Sequence, residues 1–304
     1  RHNPNSMIPS EMPSDVLVKA TAARNTVRAL AAVTTGVADE ARLRHHTAPT
    51  ATAALGRTMT AGLLLGGMMK EDGQLSIQFM GNGPLQGLVI DANAQGEARG
   101  FVYQPRAHPP VRNGKLDVGG VVGKGTMAVM RRQRWDKEPY RSVLPIVSGE
   151  IGQDIANYLL TSEQVPSAVS LGVFVQPDET VTAAGGFIIQ AMPGVDDATR
   201  ADIEEAVANA RPVSQMVRDG LTPWQILSHV LEKFEPQCMD QMPVRFTCHC
   251  SRERVLGIIV ALGLQEVEAL LEKEDDISVA CEFCAEQYSF EPQEARTVLA
   301  EAGS

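Results

Sequence analysis

The chain has 304 residues, 44% hydrophobic and 21% charged, with a net charge of −10. That balance excludes a disordered chain, a collagen and a coiled-coil rod, and the length suits two domains with room for a third. The charge is uneven: residues 195–304 carry 21 acids against 9 Lys/Arg, whereas residues 1–194 carry 16 against 18, so a concentrated basic face for nucleic acid is not expected and an acidic, detachable module is.

The first fifteen residues hold three prolines and no hydrophobic stretch, which does not read as a secretory signal. The longest uncharged apolar run, Thr58 to Met69, is too short to cross a bilayer. The expected location is the cytoplasm, with no membrane partner. In a reducing compartment thiols serve metals or redox chemistry rather than stable disulfides.

In chain order, Val16–Ala20 and Thr26–Leu30 read as short strands. Pro49 to Met69 reads as a helix with apolar residues almost all round, hence buried and central, with Gly62, Gly66 and Gly67 allowing close backbone contact. Gln74–Met80 alternates as a strand, Gly81-Asn82-Gly83-Pro84 turns, and Leu85–Ile90 and Ala98–Tyr103 continue an antiparallel meander. Ser148–Leu160 reads as an amphipathic helix. Ser167–Val175 and Val181–Gln190 read as a strand pair. The fold class is α+β: a mixed core domain with antiparallel sheet and helices over residues 13–194.

Pro193-Gly194 breaks this pattern. Residues 195–240 read as a helical regulatory linker. Asp196-Asp197 caps a helix from Ala198 to about Ala210, Pro212 opens a short one ended by Gly220, and Thr222-Pro223 starts a third. Their apolar stripe (Ile203, Val207, Met216, Val217, Trp224, Leu227, Leu231) is expected to cover the core's sheet. Residues 241–304 read as a small C-terminal domain, with helices over Arg252–Leu262 and Leu264–Glu274, a strand at Gln287–Phe290 and a last helix from Glu291.

Chemistry concentrates in four of the five cysteines: Cys248-His249-Cys250 and, 30 residues on, Cys281-Glu282-Phe283-Cys284. Two short cysteine pairs can bring four thiolates to about 2.3 Å from one tetrahedral zinc ion. A purely structural clip is one reading. The tight Cys-x-Cys half favours another, since thiolates are also what oxidants attack. A thioredoxin-like Cys281/Cys284 pair would open a helix after a strand, and here it precedes strand-like sequence. A zinc ribbon for nucleic acid would need basic residues beyond Arg245, Arg252 and Arg254. Cys238 reads as a free thiol at a helix end or loop. The adjacent His45 and His46 belong at a surface or helix edge.

These motifs, with Pro49-Thr50-Ala51-Thr52-Ala53-Ala54-Leu55-Gly56-Arg57, Ser162-Glu163-Gln164-Val165-Pro166-Ser167 and Ala183-Ala184-Gly185-Gly186-Phe187-Ile188-Ile189-Gln190 in the same order, resemble the redox-regulated 33-kDa heat-shock proteins. The resemblance runs along nearly the whole chain after Pro13. It implies an ATP-independent chaperone, a holdase for unfolding client proteins, and not an enzyme. It implies one Zn²⁺ per reduced chain on Cys248, Cys250, Cys281 and Cys284. It implies redox disulfides Cys248–Cys250 and Cys281–Cys284, zinc release, unfolding of tail and linker, and pairing into a homodimer among the oxidised states. The nearest approach to a phosphate loop, Gly123-Lys124-Gly125-Thr126, lacks the first glycine (Val118) and a hydroxyl after the lysine, so nothing in the residues opposes the absence of ATP chemistry. The competing classes are a thiol-disulfide oxidoreductase and a nucleic-acid-binding zinc ribbon.

Overall fold

The computed structural model describes residues 15–134, 136–262, 277–291, 294 and 297. In chain order the core comprises β1 (Val16–Ala22), β2 (Val27–Val33), α1 (Thr35–His45), α2 (Pro49–Gly67), β3 (Gln74–Gly81), β4 (Leu88–Asn93), β5 (Glu97–Val102), α3 (Val118–Val122), β6 (Gly125–Arg132), β7 (Tyr140–Pro145), α4 (Gly152–Thr161), β8 (Ser167–Val175) and β9 (Val181–Ala191). Then follow α5 (Asp197–Ala208), α6 (Val213–Arg218), α7 (Pro223–Val230), β10 (Gln237–Pro243), β11 (Arg245–Phe246), α8 (Arg252–Leu262), β12 (Ile277–Ala280) and β13 (Gln287–Phe290). No described helix is long and apolar enough to cross a membrane.

Helix α2 is the axis of the core. Pro49 at its first turn presets the helical φ. Two of its buried threonines turn their hydroxyls back to carbonyls one turn earlier, Thr58 to Ala54 and Thr60 to Gly56 at 2.8 Å each, so these hydroxyls are satisfied inside the core. A Cβ at Gly66 would lie 2.5 Å from the Asn93 carbonyl oxygen, and one at Gly62 2.5 Å from Ile90 Cδ1. The glycines therefore let β4 approach the helix, as the sequence suggests. A five-stranded sheet (β10-β1-β2-β9-β8) packs on one side of α2 and a six-stranded sheet (β11-β5-β4-β3-β6-β7) on the other. Leu17 and Leu30 from the first, Leu63 and Leu64 from α2, and Ile77, Phe79 and Ile90 from the second join one apolar cluster.

The linker helices cover the other face of the five-stranded sheet. Ile203, Val213, Met216, Ile226, Leu227, Val230 and Leu231 are buried against Val18, Val27, Ala29, Phe187 and Ile189, with Val207, Val217 and Trp224 partly buried beside them. The caps are as expected. The Asp196 carboxylate accepts from Thr199 N at 2.8 Å, and Thr222 and Gln225 exchange bonds in a capping box.

Several elements differ from the sequence reading. Residues 237–240 are not helical: they begin β10, the edge strand antiparallel to β1. Cys238 therefore sits exposed in a strand, beside a register shift opposite Ala20, and not at a helix end or loop. The residues of β10 are almost all exposed, so pairing rather than burial makes it a strand. The strand expected from Leu85 starts at Leu88, because Leu85 bonds Val121 and Gln86 turns with φ 62°. The helix expected from Ser148 starts at Gly152. The buried Asp154 carboxylate accepts from the backbone of Val147, Ser148 and Ile151, holding the preceding residues as a turn. Helix α1 and strands β6 and β7 went unread. The expected helix over Leu264–Glu274 lies outside the described residues, as does all but isolated positions of the one from Glu291.

Candidate metal centre

The route of the chain delivers the first cysteine pair to the core. After β10 closes one sheet, β11 crosses to the other and pairs in parallel with β5, Arg245 beside Glu97 and Phe246 beside Ala98. Thr247 N then donates to Ala98 O at 2.9 Å. Cys248 thus emerges at the edge of the six-stranded sheet. The second pair is the turn of the β12–β13 hairpin. Cys281 N donates to Glu286 O at 2.9 Å, Ala285 N donates to Cys281 O at 2.7 Å, and Ala285 takes a left-handed φ of 59°. Cys281 and Cys284 therefore occupy a hairpin turn, not the start of a helix.

All four Sγ atoms lie within 4.8 Å of one another. Cys248 Sγ is 3.8 Å from Cys281 Sγ, and Cys250 Sγ is 3.3 Å from Cys284 Sγ, so contacts run between the two loops. Sulfurs at the corners of a tetrahedron with metal–sulfur bonds of about 2.3 Å would be about 3.8 Å apart. The four cysteines singled out by their spacing are brought together with the donor chemistry and dimensions of a four-thiolate zinc site, and they could hold a metal ion.

The surroundings favour thiolate at Cys248 and oppose it at Cys281 and Cys284. Burial pushes the Cys248 thiol up, but the Arg99 guanidinium, Nη1 to Sγ 3.4 Å, and hydrogen bonds from its cysteine neighbours outweigh it and hold the thiol at about 7. Burial raises Cys281 and Cys284 above the ordinary thiol range. Tyr288 donates its hydroxyl to Cys250 Sγ at 3.1 Å. A cation bound here would have to displace the protons of Cys281 and Cys284.

The knuckle of the second pair is clamped to the core by residues the sequence did not flag. The Phe283 ring lies under the Arg99 guanidinium (4.1 Å to the centroid) and edge-on to Phe101 at 5.3 Å. The Phe283 carbonyl oxygen is 3.1 Å from His45 Nε2, and Arg44 Nη1 donates to Cys284 O at 3.3 Å. His45 and His46 do end a helix, as expected, but the half-buried His45 holds a contact of this docking. Glu97 binds Arg245 at 2.7 Å and His249 at 3.0 Å, and Arg245 above all holds its carboxyl down to about 2. Arg99 and Glu97 are outward residues of one strand. No motif marks them, because their partners lie about 150 residues or more away.

A family model described as Hsp33 protein matches residues 15–291. The chain belongs to the Hsp33 family. It is 46% identical over 292 residues to the 33 kDa chaperonin of Geobacillus sp. (strain WCH70), spanning 95% of this chain and 99% of that one. It is 47% identical over 282 residues to the 33 kDa chaperonin of Bacillus subtilis (strain 168), with coverages of 92% and 96%. The crystal structure of the 33 kDa chaperonin (heat shock protein 33 homolog) from Thermotoga maritima superposes with a TM-score of 0.88 at 29% identity, covering 95% of this chain and 99% of that one. Membership of a chaperone family and the α+β architecture with a C-terminal cysteine cluster thus agree with the resemblance read from the motifs.

Proposed function

We propose that this chain is an ATP-independent holdase whose client-binding surface is controlled by the oxidation state of the cysteine cluster. The observation that carries the reading is the convergence of four Sγ atoms within 4.8 Å on loops that dock against the core. In the reduced form Cys248, Cys250, Cys281 and Cys284 would hold one Zn²⁺. Bound zinc supplies a cross-link in place of a hydrophobic core. The module needs one, because its own apolar cluster among the described residues is only Val255, Ile259 and Phe290 with a few partly buried neighbours.

Oxidation removes the donors. Following the family resemblance, Cys248 pairs with Cys250 and Cys281 with Cys284. Each pair of zinc-bound thiolates loses two electrons as its S–S bond forms, a peroxide that takes up those electrons and two protons from solvent leaves as two waters, and the zinc ion departs. The exposed Cys238 stands outside this chemistry. With its cross-link gone the module of residues 241–304 loosens, and β11 and β10, continuous with Cys248, lose their anchor. The linker of residues 195–240 follows, since its helices are too short to persist alone. Its departure bares Val18, Val27, Ala29, Phe187 and Ile189 on the core of residues 13–194, an apolar face suited to unfolding clients. The acidic balance of the released segment keeps complexes soluble. This reading places the protein in the cytoplasm, with no nucleic-acid or membrane partner and with a homodimer among its oxidised states.

The test is light scattering of a denaturing model protein, with and without prior peroxide treatment, beside a zinc-release assay. Aggregation should be suppressed only after oxidation, with about one zinc released per chain and loss of helical signal. Equal protection in both states, or zinc retained through oxidation, refutes the switch.

A further inference from the structure

The six-stranded sheet turns one face to α2 and the other outward, and the outward face is not covered by the linker. Strand pairing places Val143, Ala128, Gln78, Val89 and Phe101 in one row across five strands on that outer face. Val89, Ala128 and Phe101 belong to no core cluster although each is less than a tenth exposed. Tyr103, edge-on to Phe101 at 5.5 Å, is 47% exposed, and Val143 at the far end of the row is 49% exposed. The strip is interrupted by Gln78 and is already covered at Val89, Ala128 and Phe101, so its open apolar surface lies at Val143 and, beside Phe101, at Tyr103.

At one end the strip has an occupant from the chain itself. The Phe283 ring meets the Arg99 guanidinium, 4.1 Å from its centroid, and stands nearly perpendicular to the Phe101 ring at 5.3 Å, a cation–π and a T-shaped partner at once. Arg99 is held for this role by Asp91, which accepts from its Nε and Nη2 at 3.1 and 2.8 Å. Two core groups that belong to β5 thus form a preshaped aromatic subsite, and the ring that fills it lies between the two cysteines of the hairpin turn.

We propose that Arg99 and Phe101 form an aromatic-accepting subsite for unfolded polypeptide and that Phe283 plugs it while the cysteine cluster is assembled. The proposal rests on the holdase reading but concerns a different surface from the linker-covered one. The knuckle itself uncovers this second site, without the linker's help. The occupant is an extended segment bearing a phenylalanine or similar aromatic, because that is the chemistry of the plug now seated there. A leucine could fill the volume but could make neither the cation–π contact with the guanidinium nor the T-shaped ring pair with Phe101.

The test uses full-length protein and a short disordered Gly/Ser peptide carrying phenylalanines, with a twin carrying leucines. Reduced Phe283→Ala, with zinc content measured, should bind the phenylalanine peptide about tenfold tighter than reduced wild type, the scale of one aromatic pair plus one cation–π contact. The leucine twin should gain little. Adding Phe101→Ala should cancel the gain. If Phe283→Ala keeps zinc and gains nothing, or if the gain survives Phe101→Ala, the subsite is wrong. Should Phe283→Ala lose zinc, oxidised wild type and oxidised Phe101→Ala decide. The substitution should weaken the phenylalanine peptide about tenfold and spare the leucine twin, and equal loss of both, or of neither, overturns the proposal. Aggregation suppression by oxidised wild type is scored separately. Its absence alongside a Phe101-dependent gain in reduced Phe283→Ala would retain the subsite and remove the holdase reading.

Discussion

The core and the cysteine module are held together by different physics. Around α2 the two sheets contribute residues to one continuous cluster, with Leu63, Leu64, Ile77, Phe79 and Ile188 among its fully buried members. In the module the cluster among the described residues comes down to Val255, Ile259 and Phe290. Burial at about 25 cal/mol per Å² can order the first, while the second needs a cross-link. The difference is one between a region ordered by its own apolar core and a region with little apolar core of its own among the described residues. The linker stands between them: its helical apolar stripe is well buried on the outer face of the five-stranded sheet, to which its last residues contribute the start of β10.

Three substitutions separate these regimes. Cys281→Ser removes one donor of four and should have the largest effect, unfolding the module and weakening zinc retention by roughly a quarter of a total binding energy of about 10–16 kcal/mol. Zinc titration and limited proteolysis should show the loss confined to the tail, with the core left resistant. A reduced variant indistinguishable from wild type would dissolve the contrast. Leu64→Ala should cost the core about 2–5 kcal/mol through the lost burial and the cavity left behind, read as a lower denaturant midpoint with zinc content unchanged. Coupled loss of zinc would mean that the two regions are not independent. The smallest effect is expected of Thr222→Ala. Deleting the hydroxyl that accepts from Gln225 N should cost about 1 kcal/mol of α7. It should appear as faster hydrogen exchange in the linker and stronger binding of an apolar dye before oxidation, with the core's midpoint unmoved.

The features legible in the sequence were those encoded locally. Helix caps at Asp196 and Thr222, the all-round apolar character of α2 and the alternation of Gln74–Met80 each depend on residues a few positions apart. The cysteine spacing was legible for the same reason: a short pair must lie on one loop. Strand β10 was not, since its side chains are exposed and carry no alternating pattern; it exists because β1 offers an unpaired edge. Helix α1 was missed because only Val37, Ala38 and Ala41 face inward, too short a stripe to stand out. The clamp on the module was invisible as well. Arg99 reads as an ordinary strand arginine, and Phe283 as a spacer between two cysteines.

By itself the sequence determined the two short cysteine pairs, the helical stripe that covers the five-stranded sheet and the α+β class, because each follows from periodicity or spacing within one stretch of chain. Tertiary structure alone decided where the cysteine knuckle rests and which aromatic and guanidinium receive it. That choice belongs to the six-stranded sheet, whose pairing fixes the outward face of β5, and to the crossing of β11 from one sheet edge to the other, a path that no local pattern encodes.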